Sequence, residues 1–375
     1  MRICFRLITC ILFGILLLFV SAIPCAAESD PLAPLYDSLS EIEYPAGADT
    51  GLEAIGISPD QPETAADLSP ESAVSLLLQT AAEEAAAPLK LCGTLLTVTV
   101  LCTLLGSLAD TAANASLRQG FGMICAAVCV GSAAEPLCTC LIRTAEALET
   151  GRVFMSSFVP VFGGFLAAGG AVAGSASYQV FVLFLTEGIM QLTGAILFPL
   201  TQTAAALGIA DAVNPKLKLG SMIAGFRSVI TWILSFVMTM FSALLSIRSF
   251  VATAADSLAA KSVRLITSGA VPIVGSAVAD AFGTVQGSIL LLRNGIGAVG
   301  ILVILWLVVP PLISLLLYRA AFRITMMLAE PAGAECMVHL CKNAQHILSA
   351  AFAMLVCFGV MLTVSSAVML LLTGS

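Results

Sequence analysis

Six stretches of this chain are each long and apolar enough to cross a lipid bilayer: residues 91–109, 121–142, 180–206, 229–247, 296–318 and 347–373. A hydrocarbon core about 30 Å thick is spanned by about 20 apolar residues in a helix. Within that core every backbone N–H and C=O must find a partner inside the chain, so runs of this length dictate helices. The rest of the composition agrees. Of 375 residues, 59% are hydrophobic and 10% charged, whereas a water-facing surface needs about 25% charged residues. The solvent for most of the surface is lipid. That excludes a cytosolic enzyme, a disordered regulator and a basic nucleic-acid binder, and it predicts an all-α polytopic membrane protein.

Charge divides the chain. Between Arg6 and Lys90 there is no basic residue, and Glu28 to Glu84 holds 13 acidic ones. Residues 1–27 have the make-up of a secretory signal, with Arg2 and Arg6, an apolar run from Leu7 to Val20, and small residues ending at Cys25 and Ala27. An uncleaved anchor helix is the alternative; either one places the residues after Ala27 outside the cytoplasm. Residues 28–88 are acidic and punctuated by proline, too poor in apolar side chains to close a core, and are expected to be extended and partly disordered. A helix is expected from Pro70 to Ala87, with Ser69 as its cap. Residues 89–375 form the transmembrane domain, which begins with two helices over 91–142.

Two further stretches, 158–176 and 265–285, are long enough to span but interrupted. The first carries Pro160, Gly163 and Gly164, the second Pro272, Gly275 and Asp280. Broken backbone at membrane depth is tolerated only against protein or water, so both segments are expected to face the bundle interior. They also resemble each other: Val159-Pro160-Val161-Phe162-Gly163 and Val271-Pro272-Ile273-Val274-Gly275 lie 112 residues apart, and the same offset carries Pro199 onto Pro311. Chance matching within apolar text is the competing explanation. A true duplication would give repeats over 157–264 and 265–375 with three membrane segments each, an odd number that forces an inverted 3+3 arrangement as in many transporters. If both broken segments span, the basic residues divide seven inside (Arg118, Arg248, Lys261, Arg264, Arg319, Arg323, Lys342) and six outside (Arg143, Arg152, Lys216, Lys218, Arg227, Arg293), which decides no orientation. If both turn back, two crossings vanish. Either way Arg319 to His346 fall inside and the C-terminus outside.

The sequence carries no phosphate-binding loop, no H-E-x-x-H pair and no nucleophile elbow. It gives no reason to expect an enzyme or a cofactor. Three acids lie within apolar stretches: Glu135, Glu187 and Asp280. A carboxylate at a helix centre costs about 2.5–3.5 kcal/mol on insertion scales, so each needs a partner or a wet cavity. Glu135 precedes Pro136 and reads as a helix end. Glu187 has Gln191 one turn away, and Asp280 has Arg264 or Arg293 within reach; interhelical contact and pathway lining are equally open for both acids. Cys336, His339 and His346 share one helical stripe. Zinc is the sharper reading of that stripe, but the spacing matches no standard structural site, and an interfacial helix with ordinary polar residues is favoured. The segment Arg248 to Arg264 reads as an amphipathic surface helix. Twelve cysteines without a C-x-x-C pair read as packing residues. Gly295, Gly297 and Gly300 permit close helix approach, within one bundle or in a homo-oligomer.

The run Lys261-Ser262-Val263-Arg264-Leu265-Ile266-Thr267-Ser268-Gly269, followed by Pro272-Ile273-Val274-Gly275, Asp280-Ala281 and Thr284-Val285, resembles the stage III sporulation protein AE family, as does the block from Phe158-Val159-Pro160 through Ser177. The resemblance implies a multipass protein in the mother-cell membrane around the forespore of an endospore former. It implies a place in a secretion-like transenvelope channel, with the other proteins of the stage III operon and a forespore-membrane partner. No catalytic residues come with it. A small-molecule permease built on the inverted repeat is the alternative reading of the same residues.

Overall fold

The computed structural model describes the backbone of residues 70–111, 115–168, 172–213, 219–270 and 275–371, and the side chains of 79–107, 120–165, 179–212, 219–246 and 296–368. The signal segment, residues 28–69, Pro272 and the side chains of Arg264, Asp280 and Arg293 lie outside the described residues.

The described backbone forms helices and turns: α1 (Pro70–Thr111), α2 (Ala115–Ala168), α3 (Val172–Leu192), a five-residue π-helical turn (Thr193–Leu197), α4 (Phe198–Val213), α5 (Gly220–Ala270), α6 (Gly275–Ala329) and α7 (Glu335–Leu371). The π-turn joins α3 to α4 without a gap, so six rods result, each long and apolar enough to cross a membrane. Five of the six apolar stretches read from the sequence fall within them, one per rod, and the sixth, 347–373, does so up to Leu371.

The rods are longer than a bilayer is thick. At 1.5 Å per residue, the 54 residues of α2 extend about 80 Å, against a hydrocarbon core of about 30 Å. Prolines do not end these helices. Pro88 lies within α1, Pro136 and Pro160 within α2, and Pro310 and Pro311 within α6. Each removes one N–H donor, a loss that neighbouring helices offset inside a membrane bundle. Hydroxyls such as Thr99, Thr144, Thr201 and Thr325 donate to the carbonyl four residues back and so carry no unpaired donor.

Each of the two interrupted segments contains a helix boundary: 158–176 holds the end of α2 at Ala168 and the start of α3 at Val172, and 265–285 the end of α5 at Ala270 and the start of α6 at Gly275. What is corrected is the place of the first break, because α2 runs through Pro160 and Gly163. Likewise Arg248 to Arg264 is the continuation of α5, not a separate surface helix. The described part of the first segment is two-faced: Phe158, Phe162 and Phe165 are at most 2% exposed, while Pro160 and Gly164 lie on the outer face.

Merging these segments changes the parity of the repeat. Along α7, Cys336 meets Ala212, Asn343 meets Gly208, and His346 lies beside Thr201 and Ala204. Thus α4 runs antiparallel to α7. So does α6, which turns directly into α7 and packs along it. Meanwhile Arg227 of α5 touches His346 of α7. The two hairpins, α3–α4 with α5 and α6 with α7, therefore run in the same direction. The offset of 112 maps 172–213 into α6 and brings Gly220 to within three residues of the start of α7. Each unit contributes two rods rather than three, so a relation between them is parallel, not inverted. It also puts Arg227 at the same end as Arg319 and His346, which overturns the arrangement with both broken segments crossing.

α7 is the central helix, with 72% of its most apolar window buried; α5 is peripheral, with 17%. Phe154, Phe158 and Phe162 stack along α2 with ring centroids 5.2 and 5.4 Å apart. A side chain at Gly300 of α6 would overlap the Phe158 ring, so glycine there permits the two helices to approach. The α6–α7 turn closes as a Schellman motif. Gly333 sits at φ 72°, Ala334 N–H donates to Ala329 O at 3.1 Å, and Gly333 N–H donates to Glu330 O at 3.2 Å.

Candidate functional site

Where the α4–α5 connection meets the base of α7, the apolar bundle holds a layer of polar side chains. Asp211, in the last turn of α4, is 2% exposed. A buried carboxylate must be paired and hydrogen-bonded, and this one is. The Leu219 N–H donates to its Oδ1 at 2.9 Å, Asn343 Nδ2 donates to its Oδ2 at 3.1 Å, and His339 Nδ1 lies 3.6 Å from Oδ2. Asn343 Nδ2 also donates to Gly208 O at 3.3 Å. One acid thereby ties the start of α5 to the end of α4 and both to α7.

The stripe of Cys336, His339 and His346 exists on α7, but its members go to different partners. The Cys336 thiol donates to Ala212 O at 3.2 Å, His339 faces Asp211, and His346 Nδ1 lies 2.7 Å from Arg227 Nη1 of α5. Among the described residues no three His, Cys, Asp or Glu side chains converge as metal ligands would. Arg319 of α6 lies near Arg227 and Lys342 of α7 near His346, with Arg323 near Arg319, and Arg319 lies over the Phe352 ring at 5.7 Å. This end of the bundle is basic and half-buried.

Glu187 stands elsewhere. It projects from α3 at 55% exposure, and its partner is Arg152 of α2 at 3.4 Å. Arg152 is shared with Glu149, which is also about half exposed. Gln191 is exposed beside them. The sequence marked Glu187 as a charge in an apolar span with Gln191 one turn away, and did not name Arg152. Gly163 is buried, with the Gln179 side chain lying where a Cβ would be, and Pro160 is exposed on the α2 surface.

Asp211 and Asn343 escaped sequence reading because the apolar stretch ending at 206 stopped short of Asp211. The signal was present: an acid four residues before the Pro215 helix breaker, at the end of a membrane-length run.

A profile of the Stage III sporulation protein AE family matches residues 61–373. The chain belongs to that family. The Stage III sporulation protein AE of Bacillus subtilis (strain 168) is 24% identical over 300 residues, covering 79% of this chain and 75% of the relative. No solved structure gives a match. The match takes in all six rods and the polar layer around Asp211, so this chain is a multipass membrane member of a sporulation family, and the buried layer lies within the part the family shares.

Proposed function

We propose that the chain is a non-enzymatic membrane core of the transenvelope complex joining mother cell and forespore, working as platform or export gate. Residues 1–27 then act as the signal peptide, and 28–88 reach the space between the two membranes. Its partners are the other proteins of the stage III operon and a forespore-membrane protein.

The observation that carries this reading, beyond family membership, is the outward position of Arg152, Glu149 and Glu187. They are charged, one-third to one-half exposed, and set among exposed apolar side chains such as Val180 and Phe184. Glu187 belongs to the apolar stretch 180–206, and a charge at membrane depth needs a protein or water beside it rather than hydrocarbon. A subunit packed against α2 and α3 supplies that cover. The permease reading drew on an inverted repeat and on Glu187 and Asp280 lining an internal path; the 55% exposure of Glu187 lends that path little support. Tagged protein purified from sporulating cells should bring down other members of the complex. Recovery of this chain alone would overturn the proposal.

A further inference from the structure

Four cysteines that the sequence assigns to simple packing come together at one place. Cys102 lies near the end of α1, Cys125 and Cys129 one turn apart near the start of α2, and Cys336 at the start of α7. They line a cleft of about 240 Å³ between the α1–α2 hairpin and the Gly333 turn. Cys102 Sγ is 3.8 Å from Cys129 Sγ and 4.0 Å from Cys125 O. Cys102 is half-buried and Cys129, in the cleft wall, is 1% exposed. Two thiols in van der Waals contact across a helix pair, one reachable from a cleft and one shielded, have the arrangement of an attacked thiol and a resolving thiol.

We infer that Cys102 and Cys129 are an oxidisable pair that staples α1 to α2. The oxidant is a small peroxide of the hydrogen peroxide class, which the cleft admits. At Cys102 the peroxide O–O bond breaks, Sγ takes one oxygen as a sulfenic acid, and one water leaves. The Cys129 thiol then attacks the sulfenic sulfur; the S–O bond breaks, the S–S bond forms, and a second water leaves. Overall two thiols and one peroxide give one disulfide and two waters, with two electrons passing from the sulfurs to the peroxide. The sulfurs have only to close from 3.8 Å to about 2 Å. The disulfide fixes α1 to α2 within the first hairpin. Cys336 also approaches Cys129 while donating to Ala212 O, so it is the competing partner that the test below separates from Cys102.

The test uses the full chain in detergent, exposed to graded hydrogen peroxide, quenched, alkylated and mapped by peptide mass spectrometry. The expected result is a Cys102–Cys129 cross-linked peptide and loss of alkylation at both positions. It should be absent in Cys102→Ser and retained in Cys336→Ser. Free alkylation of Cys102 and Cys129 after the exposed Cys138 has been oxidised would overturn the inference, as would a Cys129–Cys336 cross-link in its place. The wild-type measurement needs no variant to fold.

Discussion

Replacing Asp211 with alanine removes the acceptor on which three elements converge. The Leu219 N–H and the Asn343 amide both donate to its carboxylate, at 2.9 and 3.1 Å, in a site that is 2% exposed. Hydrogen bonds to a charged group are each worth about 1.5–3 kcal/mol, and donors left buried without an acceptor bear the full desolvation penalty. Two such bonds put the loss at about 3–5 kcal/mol. His339 adds little, because it is 3.6 Å away and 44% exposed. Since 1 kcal/mol shifts a mid-sized domain by about 2–4 °C, Asp211→Ala should lower the melting temperature by at least about 6 °C. Asp211→Asn keeps one acceptor oxygen but turns an amide N–H₂ toward the other donor, and should lose about half as much. His339→Gln should cost under about 1 kcal/mol, as exposed ion pairs do. The assay is thermal unfolding in detergent followed by size-exclusion chromatography. An Asp211→Ala protein melting within about 2 °C of wild type would show that the carboxylate does not hold these three elements together.

At the α2–α6 contact, Gly300→Leu drives a side chain into the Phe158 ring, which is pinned between Phe154 and Phe162; overpacking of this kind costs about 1–3 kcal/mol, and the same melting assay reads it. Pairing it with Phe158→Ala should recover part of the loss, which a double-mutant cycle measures. Replacing Arg152, Glu149 and Glu187 together by leucine should leave the melting temperature of the detergent-purified chain unchanged while abolishing co-purification of its partners. Retained partners would show that the outward charges are not an interface.

The sequence revealed the six rods because hydropathy over about 20 residues reflects the one energy that dominates in lipid, transfer out of water. It misled at Pro160 and Gly163, where proline and glycine suit a break in water but sit within a membrane helix whose neighbours compensate. Whether 158–176 crosses or turns back was open from the sequence, and with it the parity of any repeat; continuity of α2 through Ala168 leaves two rods in each hairpin. At the polar layer, the stripe of Cys336, His339 and His346 was correct as periodicity, but its partners came from α4 and α5, more than 100 residues away. Periodicity within one helix says which residues share a face. It does not say that Asp211 and Arg227 stand opposite them.

The parallel relation of the two hairpins is the claim on which topology and site both depend, and labelling tests it most directly. With native cysteines replaced, Ser221→Cys at the start of α5 and Ala332→Cys in the α6–α7 turn are both exposed positions, to be probed with a membrane-impermeant maleimide. The account predicts that both stay unlabelled in intact cells and that both react once the membrane is opened. Labelling of one from outside while the other stays protected would place the hairpins in opposite directions and contradict it.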